Sequence, residues 1–182
     1  MKVNLQEYSN EHYNPGAGML KRLCWYVTNS IFFNSPILVP GALKTFLLRT
    51  FGAHVGKGVT IKPGVNIKYP WLLTIGNYVW IGEKVWIDCL TKVTIGDNVC
   101  LSQGSMLLTG NHNYNKTTFD LVIGQIILEE GVWIGAKSVV CPGVTCFSHS
   151  VLSVLSVATS DLEAYGIYQG NPAVKKKVRV IN

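Results

Sequence analysis

Aliphatic residues return at every sixth position through the middle of the chain. Fifteen positions share this register, and all of them except one Cys and one Ala are Val, Ile or Leu: Val55, Ile61, Ile67, Ile75, Ile81, Ile87, Ile95, Leu101, Leu107, Leu128, Ile134, Val140, Cys146, Leu152 and Ala158. Neither the helical period of about 3.6 residues nor the alternation of a simple strand produces this spacing. A period of six is typical of a parallel β-helix, in which each hexad supplies one short strand and one tight corner.

Breaks in the register group the hexads into threes. Extra residues at 73–74 follow the third hexad, and extra residues at 93–94 follow the sixth. A long insertion over residues 113–127 follows the ninth. If three hexads close one coil, all three insertions stack on one edge of the solenoid, and the long one projects from that edge as a loop. The pattern predicts an all-β solenoid of about five coils over residues 55–160.

The chain on either side of the repeat has a different character. Residues 1–54 comprise a polar arm followed by a strongly apolar and aromatic segment over residues 19–51, for which we predict two short helices. Residues 161–182 form a short C-terminal segment that ends in a basic cluster. No signal peptide is expected at the start of the chain, because the arm is polar.

Two interpretations of the apolar segment stay open at this point. In the first interpretation, its helices form a cap over the open end of the β-helix, which solenoids need for solubility. Alternatively, or in addition, they form an amphipathic patch on the inner membrane surface, with Lys21, Arg22, Lys44 and Arg49 facing phosphate head groups.

Composition and charge limit the class of partner. The chain is 48% hydrophobic and only 14% charged, which indicates one globular domain whose surface is partly covered by oligomer formation. The net charge of +6 suits anionic lipid, a phosphate-bearing ligand or nucleic acid. Nucleic acid is the least favoured, because no binding module is present and the aromatic residues do not interleave with the basic ones.

Cysteine and histidine usage argue against secretion and against a metal site. The five cysteines are odd in number and form no CxxC, which is typical of buried thiols in a reducing compartment, the cytoplasm. The four histidines, His12, His54, His112 and His149, show no ligand spacing. We therefore expect no metal, since a zinc site needs several converging ligands.

Several motifs together resemble a known family. The motifs are Leu108-Thr109-Gly110-Asn111-His112, Gly131-Val132-Trp133-Ile134-Gly135-Ala136, Pro142-Gly143-Val144 and Gly170-Asn171-Pro172-Ala173. They are similar to those of the left-handed β-helix acyltransferases, the hexapeptide-repeat enzymes that include maltose, galactoside and serine O-acetyltransferases. The segments 46–57 and 69–78 look like the colanic acid biosynthesis acetyltransferase branch. This resemblance implies left-handed winding, a homotrimer, and active sites that bind acetyl-CoA in the clefts between protomers.

The resemblance also implies roles for individual residues. Transfer of an acetyl group to a hydroxyl needs a base, and His112 at the root of the long loop is the candidate. Its position alone would equally suit a structural loop histidine. Asp88 is a candidate for orienting His112 or binding the acceptor, or is simply an outward corner residue. Asn113 is a second candidate for orienting His112 or binding the acceptor. It stands where related enzymes often have an acidic residue, which puts the acceptor contacts in doubt.

The family pattern places coenzyme A along the last coils. Trp133 and Ala136 correspond to the path of the pantetheine arm, and Val154 and Thr159 to its continuation. Lys177 and Arg179 would meet the phosphates, although a basic run near a chain end is more often a solvated tail. A family Lys after the Thr is replaced by Ser160 here, so one phosphate contact is expected to be missing.

The sequence therefore predicts an acetyl-CoA-dependent O-acetyltransferase that acts on a sugar of a surface or capsular polysaccharide by direct transfer, with the glycan still lipid-linked or nucleotide-linked. Two alternatives remain open. One is an acetyltransferase for a free small molecule such as a simple sugar or serine. The other is a β-helical scaffold subunit without catalysis, which would not bind coenzyme A.

Overall fold

The computed structural model describes residues 2–182, and Met1, the first residue of the predicted arm, lies outside the described residues. The two α-helices are α1 (Met19–Phe32) and α2 (Gly41–Thr50), and single 3-10 turns occur at Leu5–Glu7 and Pro70–Leu72. The strands are β1 (His54–Val55), β2 (Thr60–Ile61), β3 (Asn66–Ile67), β4 (Leu73–Ile75), β5 (Trp80–Ile81), β6 (Trp86–Asp88), β7 (Val93–Ile95), β8 (Cys100–Leu101), β9 (Met106–Leu108), β10 (Gly110–His112), β11 (Leu121–Ile123), β12 (Ile126–Leu128), β13 (Trp133–Ile134), β14 (Val139–Val140), β15 (Thr145–Cys146), β16 (Val151–Leu152), β17 (Val157–Ala158), β18 (Gly166–Gly170) and β19 (Ala173–Val178).

Strands of successive coils stack in parallel into three sheets. Sheet A contains β1, β4, β7, β12 and β15, and sheet C contains β3, β6, β9, β14 and β17. Sheet B contains β2, β5, β8, β13, β16 and β18, with β19 added antiparallel at its edge. The chain visits A, B and C in turn through five coils, and a sixth begins where Leu162 bridges to Cys146 and continues into β18. The predicted left-handed parallel β-helix is confirmed.

The hexad residues form one continuous internal column. Their side chains are buried from Ile61 through Ala158, including the short Cys146 and Ala158, and only Val55 of the first strand is partly exposed. Residues directly before them point outwards, as Trp80 does beside the buried Ile81. Each coil is thus stabilised by burial against its neighbours, because no coil encloses a core alone.

All three insertions lie at the corner where the chain leaves sheet C for sheet A. The longest contains a hairpin in which β10 pairs antiparallel with β11, so that His112 faces Leu121. The sequence predicted a loop over residues 113–127, whereas Leu121–Ile123 belong to this hairpin and Ile126–Leu128 belong to sheet A. The reason for the difference is burial, since Ile126 and Leu128 pack into the solenoid core.

The two helices cover the first coil, as the cap interpretation predicts. The buried face of α1 carries Trp25 and Asn29, and that of α2 carries Lys44 and Leu48. Trp25 and Leu48 join the same apolar cluster as the solenoid core. Within residues 2–182, neither helix has the length and apolar character needed to cross a membrane.

Three cap side chains complete the hydrogen bonding of the open end. The backbone N–H groups of the first coil donate to carbonyls of the second, so first-coil carbonyls have no coil before them to bond. Arg49 donates to Val55 O and Gly56 O in sheet A, and Trp25 Nε1 donates to Ile67 O in sheet C at 2.7 Å. Lys44 donates in the same way to the first strand of sheet B. The cap therefore supplies one hydrogen-bond donor side chain to the first strand of each sheet.

The placement of Lys44 corrects one sequence-based expectation. Its side chain was a candidate for facing head groups, but the residue is only 1% exposed, with Nζ 3.0 Å from Lys62 O and 3.3 Å from Ile61 O. Nζ also lies 5.8 Å from the centroid of the Phe33 ring. Burial lowers the pKa of Lys44. Its ammonium group binds backbone carbonyls inside the protein and is not available to bind a phosphate at the surface.

Lys44→Met should therefore destabilise the protein by about 1–3 kcal/mol, because two buried carbonyls lose their donor. Urea denaturation followed by circular dichroism measures the change in the free energy of unfolding. Lys57→Met at an exposed site is the matched control and should shift it by less than about 0.5 kcal/mol. Equal midpoints for the two variants would contradict a capping role for Lys44.

Candidate functional site

The hairpin at the insertion edge holds the His112 imidazole in one tautomer. His112 Nδ1 lies 2.9 Å from Phe119 O, and the imidazole stacks on the Phe119 ring with centroids 4.4 Å apart and an interplanar angle of 9°. A carbonyl oxygen can only accept, so Nδ1 carries a proton, and in the neutral imidazole the lone pair is on Nε2. This arrangement suits a general base acting through Nε2.

Contacts within the hairpin tip fix the position of Phe119. Phe119 itself adopts a left-handed backbone conformation with φ of 51°. Asn113 N donates to Asp120 O, and the Asp120 carboxylate accepts from Lys116 Nζ at 2.8 Å and from Thr118 Oγ1. The hydrogen bond from Lys116, followed by that from Thr118, lowers the pKa of Asp120. The tip is thus closed by polar contacts that its sequence encodes locally.

Orientation of the imidazole comes from Phe119, not from the two residues that sequence reasoning selected. Asn113 Oδ1 accepts from Asn115 N at 3.1 Å, so this side chain helps to form the turn. Among the described residues, neither Asn113 nor Asp88 hydrogen-bonds the His112 ring. Sequence reasoning missed Phe119 O as the partner, because a backbone carbonyl is present at every position and the residue type does not reveal it.

Asp88 nevertheless lies beside the strand that carries His112. It ends β6 opposite Leu108, is 8% exposed, and a Cβ built on Gly110 would sit 3.6 Å from its Oδ2. Lys68 Nζ lies 3.1 Å from Oδ1, but the approach lacks hydrogen-bond geometry, so this oxygen has an ionic partner and no donor. Oδ1 is thus a buried oxygen whose charge is balanced by Lys68, and Oδ2 is the oxygen that lies towards Gly110.

The polar arm runs along the same edge. Asn4 N donates to Thr117 O at 2.9 Å, and Tyr13 OH donates to Leu90 O at 2.8 Å. Between these points the ring of Tyr8 lies 5.9 Å from that of His112. Burial, reinforced by the nearby Tyr69 and Asp88, raises the pKa of Tyr13. Sequence reasoning missed Tyr8 and Tyr13, whose only signal was their aromatic character in a polar segment.

Three of the predicted coenzyme residues lie close together. Trp133 on β13 is exposed and donates from Nε1 to Ser102 Oγ at 2.9 Å. Ala136 lies in the turn that follows, between sheets B and C, and its carbonyl accepts from Leu155 N at 3.0 Å. Val154 is therefore its neighbour on the next coil. Together they give an edge of exposed apolar surface with accessible backbone groups.

The remaining three candidates lie elsewhere. Thr159 is exposed at the corner between sheets C and A, so the width of sheet C separates it from Ala136. Lys177 is exposed on β19. Arg179 is half-buried, with Nη1 2.9 Å from Gly131 O and 3.3 Å from His149 O, so part of its guanidinium group is already bonded.

The cysteines offer no accessible thiolate in the core. Cys89 and Cys146 are fully buried, and burial raises the pKa of each to about 12. Cys24 is exposed on α1, which corrects the expectation of buried thiols at this position. Over residues 2–182, no three His, Cys, Asp or Glu side chains converge in a way that could hold a metal ion.

Comparisons with known proteins agree with this architecture. No protein-family model matches the chain. A protein of Escherichia coli named as a colanic acid biosynthesis acetyltransferase, WcaF, is 38% identical over 92% of each chain. A hexapeptide-repeat acetyltransferase of Vibrio cholerae complexed with acetyl-CoA has a TM-score of 0.81 at 21% identity over 97% of each chain. A galactoside acetyltransferase in complex with coenzyme A has a TM-score of 0.77 at 25% identity, over 87% of this chain and 80% of that one.

Thiol labelling of the native protein should be selective, because the thiolate is the reactive form. A maleimide reagent at neutral pH should modify Cys24 first and leave Cys89 and Cys146 unmodified until denaturant is added, as peptide mass spectrometry will show. Cys24→Ser is the control and should remove the fast phase. Rapid labelling of Cys89 or Cys146 in the folded protein would contradict the burial described above.

Proposed function

The chain belongs to the hexapeptide-repeat acetyltransferases, alongside WcaF, and we propose that it transfers the acetyl group of acetyl-CoA to a sugar hydroxyl in the biosynthesis of a surface or capsular polysaccharide. The observation that carries this proposal is the geometry of His112. Its Nδ1–H is bonded to Phe119 O, so Nε2 is available to take a proton from a hydroxyl.

The proposed chemistry is direct transfer. Nε2 of His112 removes the proton from the acceptor hydroxyl as its oxygen attacks the thioester carbonyl. The tetrahedral intermediate collapses with loss of the coenzyme A thiolate, and the proton on His112 passes to that sulfur. No acyl-enzyme is required, because the hydroxyl attacks the thioester directly, and Cys89 and Cys146 are too buried to act as nucleophiles.

Asp88 is the residue we assign to the acceptor. Its Oδ1 has no hydrogen-bond donor, and the carboxylate lies against Gly110 on the strand of the base. A sugar hydroxyl would donate to Oδ2, the oxygen on the side of Gly110, because Oδ1 is buried beside Lys68, while a second hydroxyl would face His112 Nε2. The name of WcaF supports a polysaccharide precursor, lipid-linked or nucleotide-linked, as the acceptor. Transfer only to free small sugars or serine would instead support the small-molecule alternative.

We assign the donor site by analogy with the two ligand-bound structures. One holds acetyl-CoA and the other coenzyme A, which supports acetyl-CoA as the donor here. The pantetheine arm would pass Trp133, Ala136 and Val154 and continue towards Thr159. Lys177, and the part of the Arg179 guanidinium that is not bonded to backbone, would meet the phosphates.

We also propose a homotrimer, supported by the outer surfaces of the sheets. The outer face of sheet C carries Trp86, Met106 and Val139, and that of sheet B carries Trp80 and Trp133. The outer face of sheet A is instead rich in threonine. Two different apolar faces on one protomer suit a heterologous contact, which forms a closed ring when the rotation between neighbouring copies closes after three. Such a contact would bring the hairpin of one protomer to sheet B of its neighbour.

The proposed place of action is the cytoplasm, at the inner face of the membrane. Residues 19–51 would provide peripheral contact, and the acceptor would be a lipid-linked glycan there.

His112→Ala should lower turnover by roughly two to four orders of magnitude, the usual contribution of a positioned base. Release of coenzyme A, followed with a thiol reagent across a panel of glycosides and nucleotide sugars, measures transfer. Calorimetric titration with acetyl-CoA and free coenzyme A should give the same affinity for the variant and the wild type.

Two results would overturn this part of the proposal. Near-normal turnover of folded His112→Ala would show that His112 is not the general base. Failure of the wild type to bind either ligand at millimolar concentration would favour a scaffold without catalysis.

Met106→Glu should dissociate the trimer, because it places a charge in the centre of the apolar face of sheet C. Light scattering coupled to size exclusion measures the mass. Thr94→Glu, on the exposed outer face of sheet A, is the matched control and should leave the trimer intact. A wild-type monomer, or a trimer broken only by the control, would contradict the proposed contact.

A further inference from the structure

The cap exposes apolar side chains that the solenoid core does not use. We call it the cap platform and define it by six exposed side chains: Leu20, Leu23, Val27 and Ile31 of α1, Leu38 of the connection and Phe46 of α2. Leu20 is 75% exposed and Leu38 is 86% exposed. Apolar side chains clustered to this degree mark an interaction site.

The packing of the cap explains why these residues point outwards together. On α1 the four platform residues are spaced three or four positions apart, opposite the face on which Trp25 and Asn29 bond the first coil. On α2, Lys44 and Leu48 point into the coil while Phe46 does not. Because both helices turn their buried faces to the first coil, the platform faces away from the solenoid, at the end opposite its C-terminal coil.

The charge around the platform is mainly positive. Residues 12–82, which contain both helices and the first coil, include seven Lys or Arg and no Asp or Glu. Lys44 is buried and Lys68 is paired with Asp88, but the other five are exposed at the surface: Lys21, Arg22, Arg49, Lys57 and Lys62. The cap end is thus an apolar surface with an excess of positive charge around it.

We propose that the cap platform docks on an anionic lipid bilayer, with the apolar side chains entering the boundary between head groups and acyl chains. An amphipathic helix with cations beside its apolar face binds in the plane of a bilayer, and basic residues near the surface are attracted by anionic head groups. The solenoid axis then points away from the membrane. The insertion edge runs along the solenoid, with Asp88 in the second coil and His112 after the third, counted from the membrane.

A second copy of the chain fits this surface less well. Contact between two cap platforms would bring two positively charged ends together, and like charges facing each other oppose association. An anionic bilayer neutralises the same charge and also covers the apolar side chains. The charge pattern therefore favours lipid as the occupant.

Flotation with vesicles tests the proposal on the full chain without donor or acceptor, so its outcome is independent of acetyl transfer. The protein should float with vesicles of phosphatidylglycerol and phosphatidylcholine and much less with phosphatidylcholine alone. Binding to the anionic vesicles should weaken as salt is added. No flotation with anionic vesicles, or equal flotation with both kinds, would overturn the proposal.

A pair of double variants tests the surface itself. Leu20→Ser with Leu38→Ser should lower the partition coefficient by about tenfold or more, and both side chains are too exposed for the change to disturb the core. Val180→Ser with Ile181→Ser removes similar exposed apolar area at the C-terminus and should leave vesicle binding unchanged. Equal loss in both double variants would overturn the assignment. A lower oligomer mass for the first alone would make the surface a contact between copies, which also overturns it.

Discussion

Every coil of this protein depends on the coil beside it for its backbone hydrogen bonds as well as for its core. The N–H groups of one coil donate to the next, from Gly56 N to Ile75 O at the first coil onwards. A ladder of this kind must be terminated, because buried carbonyls without donors are costly. The cap does this with one donor side chain for each sheet, Arg49, Lys44 and Trp25. The helices are therefore part of the solenoid, since without them its first coil would present unpaired carbonyls.

The same repeat decides where chemistry can occur. A three-sided coil has three corners, and insertions are tolerated only where they leave the stacked strands undisturbed. Here they all fall at the corner between sheets C and A, which gathers Asp88, His112 and the N-terminal arm on one edge. The rigid solenoid positions that edge, and the hairpin adds a locally closed turn that holds the imidazole. Local order on a rigid support is what a positioned base requires.

The cap combines two tasks that call for opposite surfaces. Its inner faces are mixed, with Trp25, Asn29 and Lys44 satisfying polar backbone groups inside an apolar cluster. Its outer faces are apolar and surrounded by cations. A cap that served only solubility would show the reverse pattern, with polar side chains outside. The proposed lipid contact accounts for the outer pattern, and it would hold the solenoid next to a bilayer.

The sequence alone determined the architecture, because the six-residue period can be seen in the spacing of the aliphatic residues. The breaks after every third hexad also show that three hexads form one coil. It also singled out His112, through its place at the root of the long insertion and the surrounding motif. Only the tertiary structure decided what bonds each polar group, since partners such as Phe119 O for His112 and Ile61 O for Lys44 are backbone atoms that no residue type reveals. Lys44 shows the difference most clearly: in sequence it is one more cation of an amphipathic segment, whereas the open end of a β-helix turns it inwards to complete a hydrogen-bond ladder.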